Sequence, residues 1–247
     1  MRFAYLLCTC LLATAGAPDI FLVTIDTLRA DHVHCYGGSN IETPAMDDLA
    51  RDGVRFANAF TPSPITNSSH VSILTGLLPS SHGVTNFGVP LQPEHSTAAQ
   101  LLKARGYRTA AFIGSVVLDS HAMAPGLGNG FDYYDNFPPS SKTGSRWGRL
   151  ERRGMDVVRH AETWLDAHPA GPHFVWLHLY DPHDPYEPPP PFSQTYKDHL
   201  YDGEIAYADW SLAHFVSYLK RHAMYRNALI VVVGDHGEGL GDRKSVV

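Results

Sequence analysis

Short continuous apolar runs recur along this chain, separated by stretches in which apolar residues return at helical spacing. Ile20 to Ile25, Thr109 to Ile113, His173 to Leu179 and Ala228 to Val233 are such runs, rich in β-branched or aromatic residues, and they read as buried strands. Val54 to Phe60 also reads as a strand. Thr43-Pro44 opens a helix that runs through Arg51, with Thr43 as the cap and Pro44 in the first turn. Ser68 to Leu74 reads as a short helix, Ser96 to Ala104 as a helix ended by Gly106, Glu151 to Ala167 as an amphipathic helix and Gly203 to Arg221 as another. Strands alternating with helices predict an α/β fold, a mainly parallel central sheet with helices on both faces. Two segments break the alternation. Gly126 to Ser145, rich in Gly, Pro, Asn and Ser, is expected to be a surface excursion, and Asp184 to Phe192, with Pro188 to Pro191, an extended cleft rim.

The two ends of the chain read differently from its body. Arg2, the apolar stretch Phe3 to Ala13 and the small residues Ala15-Gly16-Ala17 form the pattern of a cleavable signal segment over residues 1–17. Export to the periplasm or the medium is therefore expected. The apolar stretch is too short for a permanent span, so no transmembrane anchor is expected. Cys8 and Cys10 would leave with that segment, and Cys35 alone cannot close an internal disulfide. At the other end Asp242 to Val247 reads as a non-native tail. The expected catalytic domain is then 18–241, with a sheet left incomplete at its C-terminus.

Composition narrows the classes. A chain of 247 residues, 44% hydrophobic, suits one large domain or a domain and part of a second. A net charge of −6 without any Lys/Arg-rich run argues against a nucleic-acid partner. The 15 histidines matter more, because several stand beside aspartates, as in Asp31-His32, Asp181-Pro182-His183 and Asp235-His236. Ligands of parallel sheets bind beyond the carboxyl ends of the strands. Three apolar runs end there in metal-binding types: Asp26-Thr27, His178 before Asp181, and Asp235-His236. On adjacent strands these residues would make a site for a divalent ion.

Five motifs in order carry a resemblance. They are Asp26-Thr27-Leu28-Arg29-Ala30-Asp31-His32 with Tyr36-Gly37; Thr43-Pro44 through Gly53-Val54-Arg55-Phe56; Ile73-Leu74-Thr75-Gly76 with Pro79 and His82-Gly83-Val84; His178 through Tyr186; and Gly234-Asp235-His236-Gly237-Glu238. Together they resemble the sulfatase N-terminal domain, in the alkaline phosphatase superfamily. The resemblance implies a three-layer sandwich, with Asp26, Asp235 and His236 holding the catalytic metal. Thr66-Asn67-Ser68-Ser69-His70 stands where a sulfatase has Cys-x-Pro-Ser-Arg. It implies Thr66 as nucleophile, although an N-cap role is the plainer alternative, with His70 in the place of the bracing Arg. His183 would touch the ester oxygens, protonate the leaving group or bind a second ion, and Asp181 would ligate that ion or orient His183. Glu238 would support His236. His178 would either pack beneath the site or join it, and Arg29 would either neutralise substrate or pair with Asp31 or Glu42. Tyr201 to Asp209 reads as a solvated, acidic helix start. Trp147, Trp164 and Trp210 read as core or interface anchors.

The departures from the family pattern shape the expected chemistry. A threonine cannot follow the Cys or Ser route to formylglycine, and Gly114-Ser115-Val116-Val117 replaces the family's Gly-Lys-Trp-His. Asp26-Thr27 replaces a paired Asp-Asp, and His236 replaces an Asn. Losing a carboxylate and gaining an imidazole favours zinc or manganese, with calcium still open. The expected substrate is a small-molecule, glycan or lipid ester of sulfate or phosphate, with phosphate weighted above sulfate because a Thr ester needs a second attack. A phosphoryl transferase similar to phosphoethanolamine transferases and a truncated non-catalytic fragment are the alternatives.

Overall fold

The computed structural model describes residues 16–137 and 151–241. The signal segment up to residue 15, the end of the excursion from 138, Trp147 and the tail 242–247 lie outside the described residues. The elements follow in chain order: β1 (Asp19–Ile25), α1 (Pro44–Asp52), α2 (Thr66–Thr75), α3 (Pro79–His82), α4 (Ala98–Lys103), β2 (Arg108–Ile113), β3 (Tyr133–Asp135), α5 (Gly154–Ala167), β4 (His173–Leu179), α6 (Phe192–Thr195), α7 (Leu200–Arg221) and β5 (Ala228–Gly234). The strands pair in parallel in the order β3-β2-β4-β1-β5. The expected α/β architecture, a parallel sheet covered by helices, is the observed one.

Strand periodicity assigns the two faces. Phe21, Val23 and Ile25 of β1 and Val175, Leu177 and Leu179 of β4 pack with Met155, Val158, Trp164 and Phe215 from α5 and α7. Leu22 of β1, Ala111 and Ile113 of β2, and Phe174 and Trp176 of β4 pack on the opposite face with Val71 and Leu74 of α2 and Ala99 of α4. Each fully buried large side chain in these layers contributes about 1.5–3 kcal/mol. Thr24 and Asp26 share the parity of Leu22, so they belong to the α2 face. That parity places the chemistry.

Some expectations change. Val54 to Phe60 is not a strand: Val54, Phe56 and Phe60 are 80%, 68% and 89% exposed. Alternation marks a face, but a strand also needs a neighbouring strand for its backbone, and among the described residues none pairs with this segment. The excursion contains a strand after all, since Tyr133–Asp135 pairs with Ala110–Phe112 of β2. Trp164 is core and 9% exposed, whereas Trp210 is half exposed and stacks on Tyr207. Thr43 is the N-cap residue of α1, as expected, but its side chain takes no helix amide: the hydroxyl donates to Asp47 at 3.2 Å, and the amides of Ala45 and Met46 donate to Asp209 at 3.0 and 2.8 Å.

Asp209 belongs to the segment expected to be a solvated, acidic helix start; the segment does open α7, but its acids are not solvated. Asp202, Glu204 and Asp209 are 6%, 2% and 1% exposed. Each has a partner distant in sequence, which no local pattern displays. Asp202 meets His32 Nδ1 at 2.5 Å, and Glu204 accepts from Arg153 at 3.1 Å and from the Glu187 amide at 2.8 Å. Among the described residues no helix is long and apolar enough to cross a membrane.

Candidate active site

The ladder brings the two aspartates together. Ile25 pairs with Leu179 of β4 on one side and Gly234 of β5 on the other. The next residues, Asp26 and Asp235, therefore leave the sheet side by side. Thr27 then turns through a φ of +53°, a region that β-branched residues avoid. In that conformation its amide donates to Asp235 Oδ1 and its hydroxyl to the Pro182 carbonyl, each at 3.0 Å. Strain of this kind persists where the surroundings enforce it, commonly at functional sites.

His236 completes the cluster. Its Nδ1–H donates to the Gly237 carbonyl at 2.9 Å and turns Nε2 inward, where the effect of burial is outweighed by the Asp235 and Asp26 carboxylates, which raise the imidazole pKa. Nε2 lies 3.6 Å from both Asp26 Oδ1 and Asp235 Oδ2, and 3.1 Å from Thr66 Oγ1. One ligand atom each from Asp26, Asp235 and His236 can be chosen so that all lie within 4.8 Å of one another. Glu238, expected to support His236, accepts instead from the Gly239 amide at 2.8 Å and meets Tyr186. Gly237 itself orients the imidazole.

Helix α2 delivers the hydroxyl. Ile65 is the N-cap, in extended conformation, and Thr66 is the first helical residue. Its side chain is turned to His236 rather than used as a cap. Ser69, one turn on, donates to the Asp235 carbonyl at 2.6 Å and ties α2 to the end of β5. His70, in the place of the bracing Arg, is fully buried beneath Thr66, with Nδ1 2.7 Å from the Thr66 carbonyl and Nε2 2.9 Å from Thr24 Oγ1. Burial pulls its pKa down to about 4, and the ring is neutral.

His178 lies under the site, fully buried, with Nε2 3.4 Å from Asp26 Oδ2. Its Nδ1 accepts the Gly114 amide at 3.3 Å, which puts the ring proton on Nε2, facing the carboxylate. Gly114 is required there, because a Cβ would sit 2.7 Å from the His178 carbonyl. His183 stands beside the cluster: its Nδ1–H donates to the Asp184 carbonyl at 2.7 Å, and its ring stacks on Tyr180 with centroids 4.6 Å apart. Asp181 does not orient His183. Its carboxylate accepts from Arg153 at 3.1 Å and from the Gly154 amide at 2.8 Å, which commits it to the start of α5. Arg29 takes the salt bridge with Asp31, at 2.8 Å, and also donates to the Glu238 carbonyl at 3.3 Å.

The electrostatics of the cluster test whether a cation fits. Burial raises the pKa of Asp26, and burial together with Asp26 pushes Asp235 up to about 7. Both Asp26 oxygens, Asp235 Oδ2 and His178 Nε2 are buried without a hydrogen-bond partner. Buried carboxylates left in that condition are costly unless a positive charge neutralises them. Two carboxylates and one imidazole are a fitting donor set for a divalent ion. Sequence reasoning missed Thr24, Trp176 and Ser69 as participants; a hydroxyl inside the apolar run of β1 was the one local sign.

A doubly covered parallel sheet whose central strand ends gather two carboxylates, an imidazole and a helix-borne hydroxyl defines an α/β protein of the alkaline phosphatase-like class. The family model described as Sulfatase matches residues 18–246, and this chain belongs to that family. It is similar to an arylsulfatase of Clostridium perfringens, 24% identical over 91% of this chain and 64% of that protein. It is also similar to an ulvan-active sulfatase of Formosa agariphila, 27% identical over 91% of this chain and 51% of that protein. Among solved structures, the phosphonate monoester hydrolase of Agrobacterium radiobacter shares the fold with a TM-score of 0.77 at 20% identity, over 92% of this chain and 64% of that one. The chain thus spans between half and two thirds of the length of these proteins.

Proposed function

We propose that this chain is the catalytic part of an exported hydrolase of sulfate or phosphate esters, with Thr66 as nucleophile. The observation that carries the reading is the position of Thr66 Oγ1, at the N-terminus of α2 and 3.1 Å from the Nε2 of His236, beside Asp26 and Asp235. Those three residues would hold a divalent ion, zinc or manganese by the mixed oxygen and nitrogen donors. When bound, such an ion supplies positive charge that acidifies the threonine hydroxyl and offsets charge on the ester oxygens.

The chain's own groups do the rest. The ester would lie at the start of α2 beside Thr66, where the first N–H groups of a helix and its dipole favour an anion. Thr66 Oγ1 releases its proton to solvent and attacks the sulfur or phosphorus centre, and the bond to the leaving alkoxide breaks. His183 gives that alkoxide a proton. Water then cleaves the ester on Thr66, and this second attack is the step that weights the reading toward phosphorus. The names of the similar arylsulfatase and ulvan-active sulfatase support sulfate esters of aryl or glycan alcohols as the competing class. The test is to measure metal content and compare rates on 4-nitrophenyl sulfate, 4-nitrophenyl phosphate and bis(4-nitrophenyl) phosphate for wild type and Thr66→Ala. Loss of turnover in Thr66→Ala with unchanged metal content is expected. A Thr66→Ala protein as fast as wild type would remove Thr66 from the mechanism.

A further inference from the structure

Thr24 is a hydroxyl residue in the otherwise apolar stretch from Ile20 to Ile25, fully buried on the α2 face. Its Oγ1 lies 3.0 Å from Trp176 Nε1 and 2.9 Å from His70 Nε2, and His70 Nδ1 lies 2.7 Å from the Thr66 carbonyl. The direction of every bond in this row is forced by the donor and acceptor inventory. The Thr66 carbonyl can only accept, so His70 Nδ1 carries the proton. The Thr24 hydroxyl is fully buried, its oxygen already accepts from the Trp176 indole, and His70 Nε2 at 2.9 Å is the acceptor within its reach, so it donates there. The indole N–H of Trp176 can only donate, and it fills a lone pair of Thr24.

We propose that Trp176, Thr24 and His70 form a one-way hydrogen-bond chain from the core of the sheet that positions Thr66, which makes His70 and Thr24 positioning residues for the reaction. The inference rests on the reading of Thr66 as nucleophile. Its physical content is that the ring of His70 is held from three sides. It stands 5.3 Å from the Trp176 ring and 5.0 Å, edge to face, from the His178 ring, while Nδ1 is 3.6 Å from Asp235 Oδ2. One side chain thus touches both the backbone that carries the nucleophile and a carboxylate of the cluster. Where a sulfatase has an arginine, this chain fixes the start of α2 from beneath with a neutral ring and a strand hydroxyl.

The test compares Thr24→Val, which keeps the shape and removes the hydroxyl, with Thr24→Ser, which restores it. For Thr24→Val the expected result is kcat lower by about 10- to 100-fold on bis(4-nitrophenyl) phosphate and 4-nitrophenyl sulfate, the cost of a small misplacement of a reacting group. KM and metal affinity should stay within about twofold, since the substrate and metal contacts are intact. Thr24→Ser should recover kcat. A second readout needs no turnover: the imidazole ¹⁵N spectrum should show His70 protonated on Nδ1, with an Nε2 signal that moves in Thr24→Val and returns in Thr24→Ser. Normal kcat in Thr24→Val alongside an inactive Thr66→Ala would overturn the positioning chain and leave the nucleophile standing. An active Thr66→Ala would overturn the nucleophile instead. A His70 ring protonated on Nε2 would overturn the chain by itself.

Discussion

Two pairs of buried carboxylates lie at the carboxyl edge of this sheet, and they are built in opposite ways. Asp181 and Glu204, 3% and 2% exposed, share the guanidinium of Arg153 and also accept the amides of Gly154 and Glu187. Asp26 and Asp235 are both fully buried, yet three of their four oxygens accept no hydrogen bond. The first pair carries its counter-charge within the fold and fastens α5, α7 and the Pro-rich rim together. The second pair is surrounded by neutral rings, His70 and His178, and by His236 at its opening. A protein that can neutralise buried carboxylates in one place has left them unneutralised in the other. The difference separates scaffold from site without any appeal to motif.

The largest expected effect falls beside the open pair. Thr66→Ala should lower turnover by about 10⁴-fold or more while leaving thermal stability and metal content unchanged, read by steady-state kinetics and metal analysis. The opposite profile is expected at the closed pair. Arg153→Met should destabilise the fold by about 3–5 kcal/mol in urea titration, because two buried carboxylates lose their cation, and metal affinity should stay constant. Equal loss of metal affinity there would erase the distinction between the two pairs.

A smaller effect tests a third kind of buried carboxylate. Burial pushes Asp209 up to about 6 although it accepts the Ala45 and Met46 amides. The folded protein therefore keeps this proton at pH values where the unfolded chain, near the ordinary value of about 3.9, has lost it. The stability it contributes is present at low pH and lost as pH rises through about 6. Relative to Asp209→Asn, wild type should lose at most about 3 kcal/mol between pH 4 and pH 6 and stay level above that, as read by urea titration across the range. A flat difference across that range would mean that Asp209 is charged throughout.

These contrasts also explain what the sequence displayed. The ends of β1, β4 and β5 were legible because buried parallel strands are continuous apolar runs, and the residue that breaks each run stands at the functional edge. β4 was legible residue by residue, His173–Leu179, for the same reason. Tyr133–Asp135 was hidden, because a three-residue edge strand inside a Gly-rich stretch has no period to show. Val54 to Phe60 had the period but no partner strand among the described residues. Asp202, Glu204 and Asp209 looked solvated because acidic residues belong at helix starts, whereas their partners His32, Arg153 and the α1 amides are far along the chain. Asp26, Asp235, His236 and Thr66 were named from the resemblance, and the structure brings those four side chains together. The row beneath them, Trp176 to Thr24 to His70, lay outside every motif.

The most direct measurement of the central claim is calorimetric titration of zinc and of manganese into chelator-treated protein, wild type against Asp26→Asn/Asp235→Asn, with thermal unfolding followed alongside. The account predicts that wild type binds an ion and is stabilised by it. The double variant should bind none and, without metal, should be more stable than wild type by about 1–4 kcal/mol, since a buried carboxylate pair with three unpaired oxygens is gone. Wild-type and variant proteins that bind metal equally well, or a metal-free variant that is less stable than wild type, would contradict the reading of Asp26 and Asp235 as a cation site.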